Sequence, residues 1–187
     1  NRMAMRINFF ANLLDGDADN LLTVGPTGQP LEFTFESQTY NLDFGDTRVL
    51  ADKHIITYGA SARQNDFDLS IAPAGDERQE FGVFLQDEIL LGDSVRWLVG
   101  ARWDDIDPIG SVVSPRTSLL WSPRPNHTFR ASFNRAFKAP SMIQNFLEIT
   151  IIQPLDLTPI VGFPLLYVFP VQALGNVDLT EEQLDAF

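Results

Sequence analysis

Between Arg78 and Ser141, apolar and polar residues alternate through four successive segments, and the connections between those segments alternate as well. Gly92-Asp93 and the stretch from Pro123 to Asn126 make tight joints, whereas Asp105 to Gly110 is longer and polar. Period-two alternation over about ten residues, with short turns at one end and longer loops at the other, is the pattern of a transmembrane β-barrel wall. A bilayer core offers no hydrogen-bond partners, so a spanning backbone must pair its groups within helices or a closed sheet. The chain has no run near the roughly 18 consecutive apolar residues that a spanning helix needs, although 44% of it is hydrophobic. Strands are therefore the expected means of crossing, and the predicted fold is all-β, an antiparallel transmembrane barrel wall.

The same rhythm continues on both sides of that stretch. Met3, Met5, Ile7, Phe9, Ala11 and Leu13 share one face of a first strand over 1–14. Residues 15–30 are rich in Asp, Asn and Gly and predict a long loop. A second strand spans 31–49, and a change of parity between its halves predicts a bulge near Ser37 to Thr39. A short turn at 50–53, a third strand over 54–63 and a second long polar loop at 65–77 follow. Four more strands are predicted at 78–91, 94–104, 112–122 and 128–137, with Phe81, Val83, Trp97, Val99, Phe129 and Phe133 on the outward face. The tryptophans of the fifth strand suit membrane interfaces. Residues 139–178 break the rhythm with Pro140, Pro154, Pro159, Pro164 and Pro170, yet they are too apolar for plain disorder, and they predict a large folded loop. An eighth strand begins near Leu179. Long loops after odd-numbered strands place that end outside the cell and the short turns in the periplasm.

Composition excludes several functions. A net charge of -12 argues against a nucleic-acid partner, and the lack of cysteine removes disulfides and thiolate metal sites. Asp15, Asp17 and Asp19 alternate in the manner of a calcium loop, but the sixth position is Asn20 where that loop requires glycine. His54 and His127 both fall at predicted short turns, without a third metal ligand or a facing serine. No phosphate-binding glycine motif occurs. The expectation is a protein that is no enzyme and carries no metal or cofactor. Arg102, Arg116, Arg130 and Arg135 fall on the predicted polar face or its upper rim. They serve either to guide anionic ligands or to pair with Glu80, Glu88 and Asp104. In the long loop, Phe146, Phe163, Tyr167 and Phe169 either cap a ligand or pack the loop onto itself, and the sequence leaves both open. With Arg135 they are the candidate ligand-binding residues.

Five motifs, taken in order, resemble the middle of the TonB-dependent outer-membrane receptors. They are Gln86 and Asp87; Gly100, Arg102 and Asp104; Ser114, Pro115 and Arg116; Arg135, Phe137, Ala139, Pro140 and Ser141; and Asn176, Leu179 and Glu182. The resemblance covers roughly Arg78 to Phe187, and the first 77 residues agree in strand pattern only. It implies a 22-stranded barrel in the outer membrane of a Gram-negative-type bacterium, plugged by an N-terminal domain. It also implies uptake energised by the TonB complex through an N-terminal box, for a solute such as a ferric siderophore, cobalamin or a glycan. Contact with a plug is then a further means of neutralising the arginines. On this reading residues 1–187 are a partial barrel domain of about eight strands, without the plug and the remaining strands, and 139–178 form a long extracellular loop. Glu181, Gln183 and Asp185 share the parity of Phe187, which does not suit a lipid-facing closing strand, so the chain is expected to be an internal piece. The alternative is a complete eight-stranded barrel with a structural or adhesive role.

Overall fold

The computed structural model describes residues 4–17, 23–24, 29–30 and 33–187. Strand β1 (Arg6–Asp17) is followed by a minimal pair, β2 (Thr23–Val24) and β3 (Gln29–Pro30). A meander then runs through β4 (Thr34–Leu50), β5 (His54–Leu69), β6 (Glu77–Leu91), β7 (Val95–Ile106), β8 (Gly110–Arg124) and β9 (His127–Lys138). Beyond it come helix α1 (Met142–Phe146), β10 (Glu148–Asp156), α2 (Thr158–Val161), β11 (Leu166–Leu174) and β12 (Glu182–Ala186). One eight-stranded sheet has the order β1-β4-β5-β6-β7-β8-β9-β12, with every neighbouring pair antiparallel. Its outer strands, β1 and β12, are edges and do not pair with each other, so the barrel is not closed and the small-barrel alternative loses its basis.

Alternation sorts the side chains of this sheet cleanly. The register carries Phe9 across to Leu42, Ala62 and Phe81 on one face. On the same face lie Leu85, Trp97, Leu119 and Phe129, all exposed. No second layer of described residues covers them. Aromatic pairs stand at two levels: Phe81 and Trp103, 6.1 Å apart, toward the long-loop end, and Trp121 and Phe129, 5.5 Å apart, toward the short-turn end. The opposite face is polar, as in the row Asp43, Ser61, Gly82 and Asp104.

Several sequence expectations change. The bulge at Ser37 to Thr39 is absent, because β4 pairs without a break from Phe35 to Leu50. The change of parity has another cause: Phe33 and Phe35 stack on the polar side at 5.6 Å, above the level where that alternation applies. The described register shift falls instead between Trp121 and Arg124. Residues 65–69 and 77 continue strands β5 and β6, and the link between β7 and β8 shrinks to 107–109. A ladder that has left the apolar zone needs no alternation to keep its backbone bonds, so polar stretches such as Arg63 to Asp68 stay in strand. Likewise Asp15 and Asp17 lie on β1 and not in a calcium loop, while Asp19 and Asn20 fall outside the described residues. The turn between β4 and β5 places both Ala51 and Asp52 at positive φ, 51° and 55°, with the Lys53 amide bonded to the Leu50 carbonyl at 3.2 Å. That is the mirror-image geometry that matches hairpin twist.

Candidate functional site

The motif residues of the sequence meet on the polar face. Arg102 on β7 leans across Gly82 on β6 and donates to Ser61 Oγ on β5 at 2.8 Å. It also grips Asp104, with Nε at 2.8 and 2.9 Å from the two carboxylate oxygens. A Cβ at Gly82 would fall on the Arg102 guanidinium and the Asp104 carboxylate, so glycine there makes room for the pair. Arg116 on β8 reaches past its register partner Gly100 to donate to Gln86 Oε1 on β6. In both cases an arginine crosses a glycine position to reach the second strand away. That geometry accounts for the glycine beneath each arginine and for the acceptor beyond it, the Ser61 hydroxyl for Arg102 and the Gln86 amide for Arg116.

The Gln86-Asp87 pair splits between the faces, as neighbours in a strand must. Asp87 accepts from His54 Nδ1 at 2.7 Å near the short-turn end, so His54, expected at a turn, opens β5 with a carboxylate partner. Pro115 marks where the pairing of β8 with β9 stops, at Arg116 and Asn134; its missing N–H removes one ladder donor. Beyond that point Arg135 lines a cavity of about 420 Å³ with Phe84, Arg102, Ser114, Arg116 and Asn134. Arg135 is held by Asp185 in a two-pronged pair at 2.7 and 2.8 Å. Phe137 lines a neighbouring cavity with Asn41, Ser61 and Asp104.

Charge pairing is uneven over this surface. Arg63 has Glu80 at 3.8 Å, Arg96 has Glu88 at 3.4 Å, and Arg102 and Arg135 have their carboxylates. Among the described residues neither Arg116 nor Arg130 has a carboxylate within ion-pair range. The hydroxyls of Ser114 and Ser118 are buried without a partner. Neutralisation within the sheet therefore explains Arg102 and Arg135 but leaves Arg116 and Arg130 available.

A second assembly lies at the long-loop end, and alternation gave no hint of it. Arg78, only 7% exposed, donates from Nε to the Asp107 carbonyl at 3.1 Å and from Nη1 to the Pro140 carbonyl at 3.0 Å. Ser141 caps α1 in a reciprocal box with Gln144. Asn145, 1% exposed, donates to the Asn176 carbonyl at 3.1 Å. Gly75 packs against Phe146 and Met142, and the Glu148 amide bonds the Ile71 carbonyl at 2.8 Å. The buried hydrophobic residues among those described are Ala72, Ile106, Val112 and Met142, all at this end. Past this root, β10 and β11 form a separate hairpin. Phe163 and Tyr167 sit on its far part, each 57% exposed. The candidate ligand residues are thus spread out: Arg135 in the sheet, Phe146 in the root, Phe163 and Tyr167 on the arm. The side chain of Phe169 lies outside the described residues. No group of three or more metal-ligating side chains fit to hold a metal ion exists among the described residues.

Residues 4–183 match the family model for the β-barrel of TonB-dependent receptor-like proteins. The fold is similar to the siderophore receptor PirA from Pseudomonas aeruginosa, at 16% identity and a TM-score of 0.65 over 98% of this chain and 35% of that one. It is also similar to PirA from Acinetobacter baumannii, at 18% identity and a TM-score of 0.62 over 97% of this chain and 31% of that one. A mutant of the ferric enterobactin receptor PfeA from Pseudomonas aeruginosa gives 16% identity and a TM-score of 0.64 over 97% of this chain and 28% of that one. The chain thus spans about a third of the length of these solved structures. No curated protein sequence matches it.

Proposed function

Because the chain belongs to the TonB-dependent receptor β-barrel family, we propose that it is a section of the wall of an outer-membrane receptor that takes up a scarce solute with energy from the TonB complex. The observation that carries this reading is the two-faced sheet, with one side apolar, uncovered and ringed by aromatics, and the other polar and networked. From Trp97 to Trp103, β7 runs about 20 Å at ~3.3 Å per residue, which a barrel-strand tilt of about 40° projects to roughly 15 Å, inside the roughly 25 Å apolar band of a membrane barrel. The apolar face meets the lipid of a Gram-negative-type outer membrane, and the long-loop end lies outside the cell. A plug domain from the remainder of the protein stands against the polar face, where Arg116 and Arg130 are free to pair with it. TonB engages a region beyond this chain.

The solute is a ferric siderophore. The similar structures named above support this, as they are of siderophore and ferric enterobactin receptors. Phe163 and Tyr167 on the arm and Arg135 at the rim meet it, while Phe146 is committed to the root. The test is uptake of radiolabelled ferric enterobactin by cells with and without the full-length receptor, each in backgrounds with and without TonB. Uptake that requires both supports the reading. If losing the receptor changes the uptake of neither this probe nor a ferric hydroxamate, the reading is wrong.

A further inference from the structure

We infer that Arg78 is a positioning residue: it bolts the root of the 139–178 excursion to the sheet and keeps that root fixed while solute is taken up. The inference rests on the transport reading for its uptake measurement, but its structural part stands apart from it. Three separate segments converge on this one guanidinium. Arg78 itself is the second residue of β6; the carbonyl bonded by Nε belongs to the link between β7 and β8; the carbonyl bonded by Nη1 belongs to Pro140, where the chain leaves β9. The nearest carboxylate, of Glu80, is 3.8 Å away, so the buried charge is held mainly by backbone carbonyls. A planar fork gives each of the two carbonyls its own nitrogen, Nε and Nη1, in a fixed geometry, whereas lysine or glutamine would have to serve both from a single nitrogen.

The rest of the root closes around the same point. The Asp107 amide bonds the Gln79 carbonyl at 3.0 Å, which ties the β7–β8 link to the residue after Arg78. The returning chain is fastened as well. The Gly175 amide bonds the Leu147 carbonyl at 2.7 Å, and the Asn176 amide bonds the Gln144 carbonyl at 2.9 Å. A Cβ on Gly175 would lie 2.6 Å from the Asn145 carbonyl carbon, so outgoing and returning strands touch backbone to backbone. Both legs of the excursion are thus locked before β10 begins, and the arm carrying Phe163 and Tyr167 is aimed by that lock.

The full-length receptor in outer membranes is the material for the test, with two kinds of variant. Arg78→Gln should raise the half-saturating concentration of ferric enterobactin by about tenfold, the expected consequence of removing the charged donor from the buried Pro140 carbonyl and the part-buried Asp107 carbonyl, with maximal uptake per receptor unchanged. Arg78→Lys should recover part of that loss. Arg78→Gln should also open 141–148 to protease, whether or not any solute is carried. In the second variant, Gly75→Cys and Phe146→Cys place two thiols on Cβ positions that are 3.1 Å apart, short of the roughly 3.5–4.5 Å that a disulfide spans, so the two must separate by a few tenths of an ångström to form it. The oxidised receptor should take up the probe as fast as the reduced one. Loss of uptake on oxidation, restored by reductant, would show that the root opens and would overturn the inference. So would an Arg78→Gln receptor with wild-type half-saturation and wild-type protease resistance. A wild-type receptor that carries no probe would defeat the transport reading alone, since protease and cross-linking still report on the root.

Discussion

The sheet and the root of the long excursion are built on opposite principles. In the sheet, large apolar side chains such as Leu85 and Phe129 are 60% and 58% exposed, and backbone ladders hold the strands together. In the root, Met142 and Asn145 are almost wholly enclosed and side chains cross-link separate segments. The proposed membrane setting accounts for the difference. A wall whose solvent is lipid needs no protein layer over its apolar face. A loop cluster in water must build a small core of its own.

The contrast can be broken first at Met142. Met142→Ala removes a side chain packed in protein and should destabilise the root by about 2–5 kcal/mol, seen as lost hydrogen-exchange protection over 141–148 with the sheet unaffected. Equal loss of protection in the sheet would mean that the two regions are one unit. On the wall the same kind of truncation, Leu85→Ala, leaves no cavity in protein and should cost only the lipid transfer of the lost carbons, about 2 kcal/mol, whereas Leu85→Arg should cost about 2–4 kcal/mol beyond that in a bilayer, measured by urea unfolding from vesicles. If Leu85→Arg is harmless there, residue 85 does not face lipid.

These differences also explain what the sequence reveals. The wall was legible because a sheet with one apolar and one polar face carries a two-residue period, so Trp97, Val99 and Leu85 declare their face without any partner being known. Arg102, Gly100, Arg116 and Gln86 stood out as motifs, but only the register shows that arginines cross glycines to reach the second strand away. The root was legible only in part: Pro140, Ser141 and Asn176 stood among the motif residues, but what fastens them did not show. Arg78 is a single charged residue at a strand start, and its partners, the carbonyls of Asp107 and Pro140, carry no side-chain signature. The parity change in β4 misled for a related reason. Above the apolar band, alternation ceases to report which way a side chain points, so Phe33 and Phe35 simulated a bulge.

Smaller effects sharpen the comparison. Ala51 sits at φ 51° in the β4–β5 turn, a conformation that costs a non-glycine residue about 1 kcal/mol. Ala51→Gly should stabilise the sheet by up to about that amount and leave the root unchanged, as unfolding midpoints would show. The smallest effect lies on the arm. The Thr158 hydroxyl and amide beside Asp156 hold its carboxyl below the usual carboxylate range, with the Thr158 amide 2.8 Å from Oδ1. A depressed carboxyl contributes its stability above the unfolded-state value, and that contribution is lost as pH falls through the folded one. Protection of the Thr158 amide, corrected for intrinsic exchange, should therefore fall as the solution is acidified below about pH 4, and Asp156→Asn should abolish that dependence.

The most direct test of the account is a nitroxide scan along β7, from Val95 to Ile106, in the full-length receptor reconstituted in lipid vesicles. Odd positions such as 97, 99, 101 and 103 should collide with oxygen dissolved in the bilayer, and even positions such as 98, 100 and 102 should be shielded from it, with period two throughout. Equal access of both sets to a water-soluble nickel complex, with no alternation, would contradict a membrane wall.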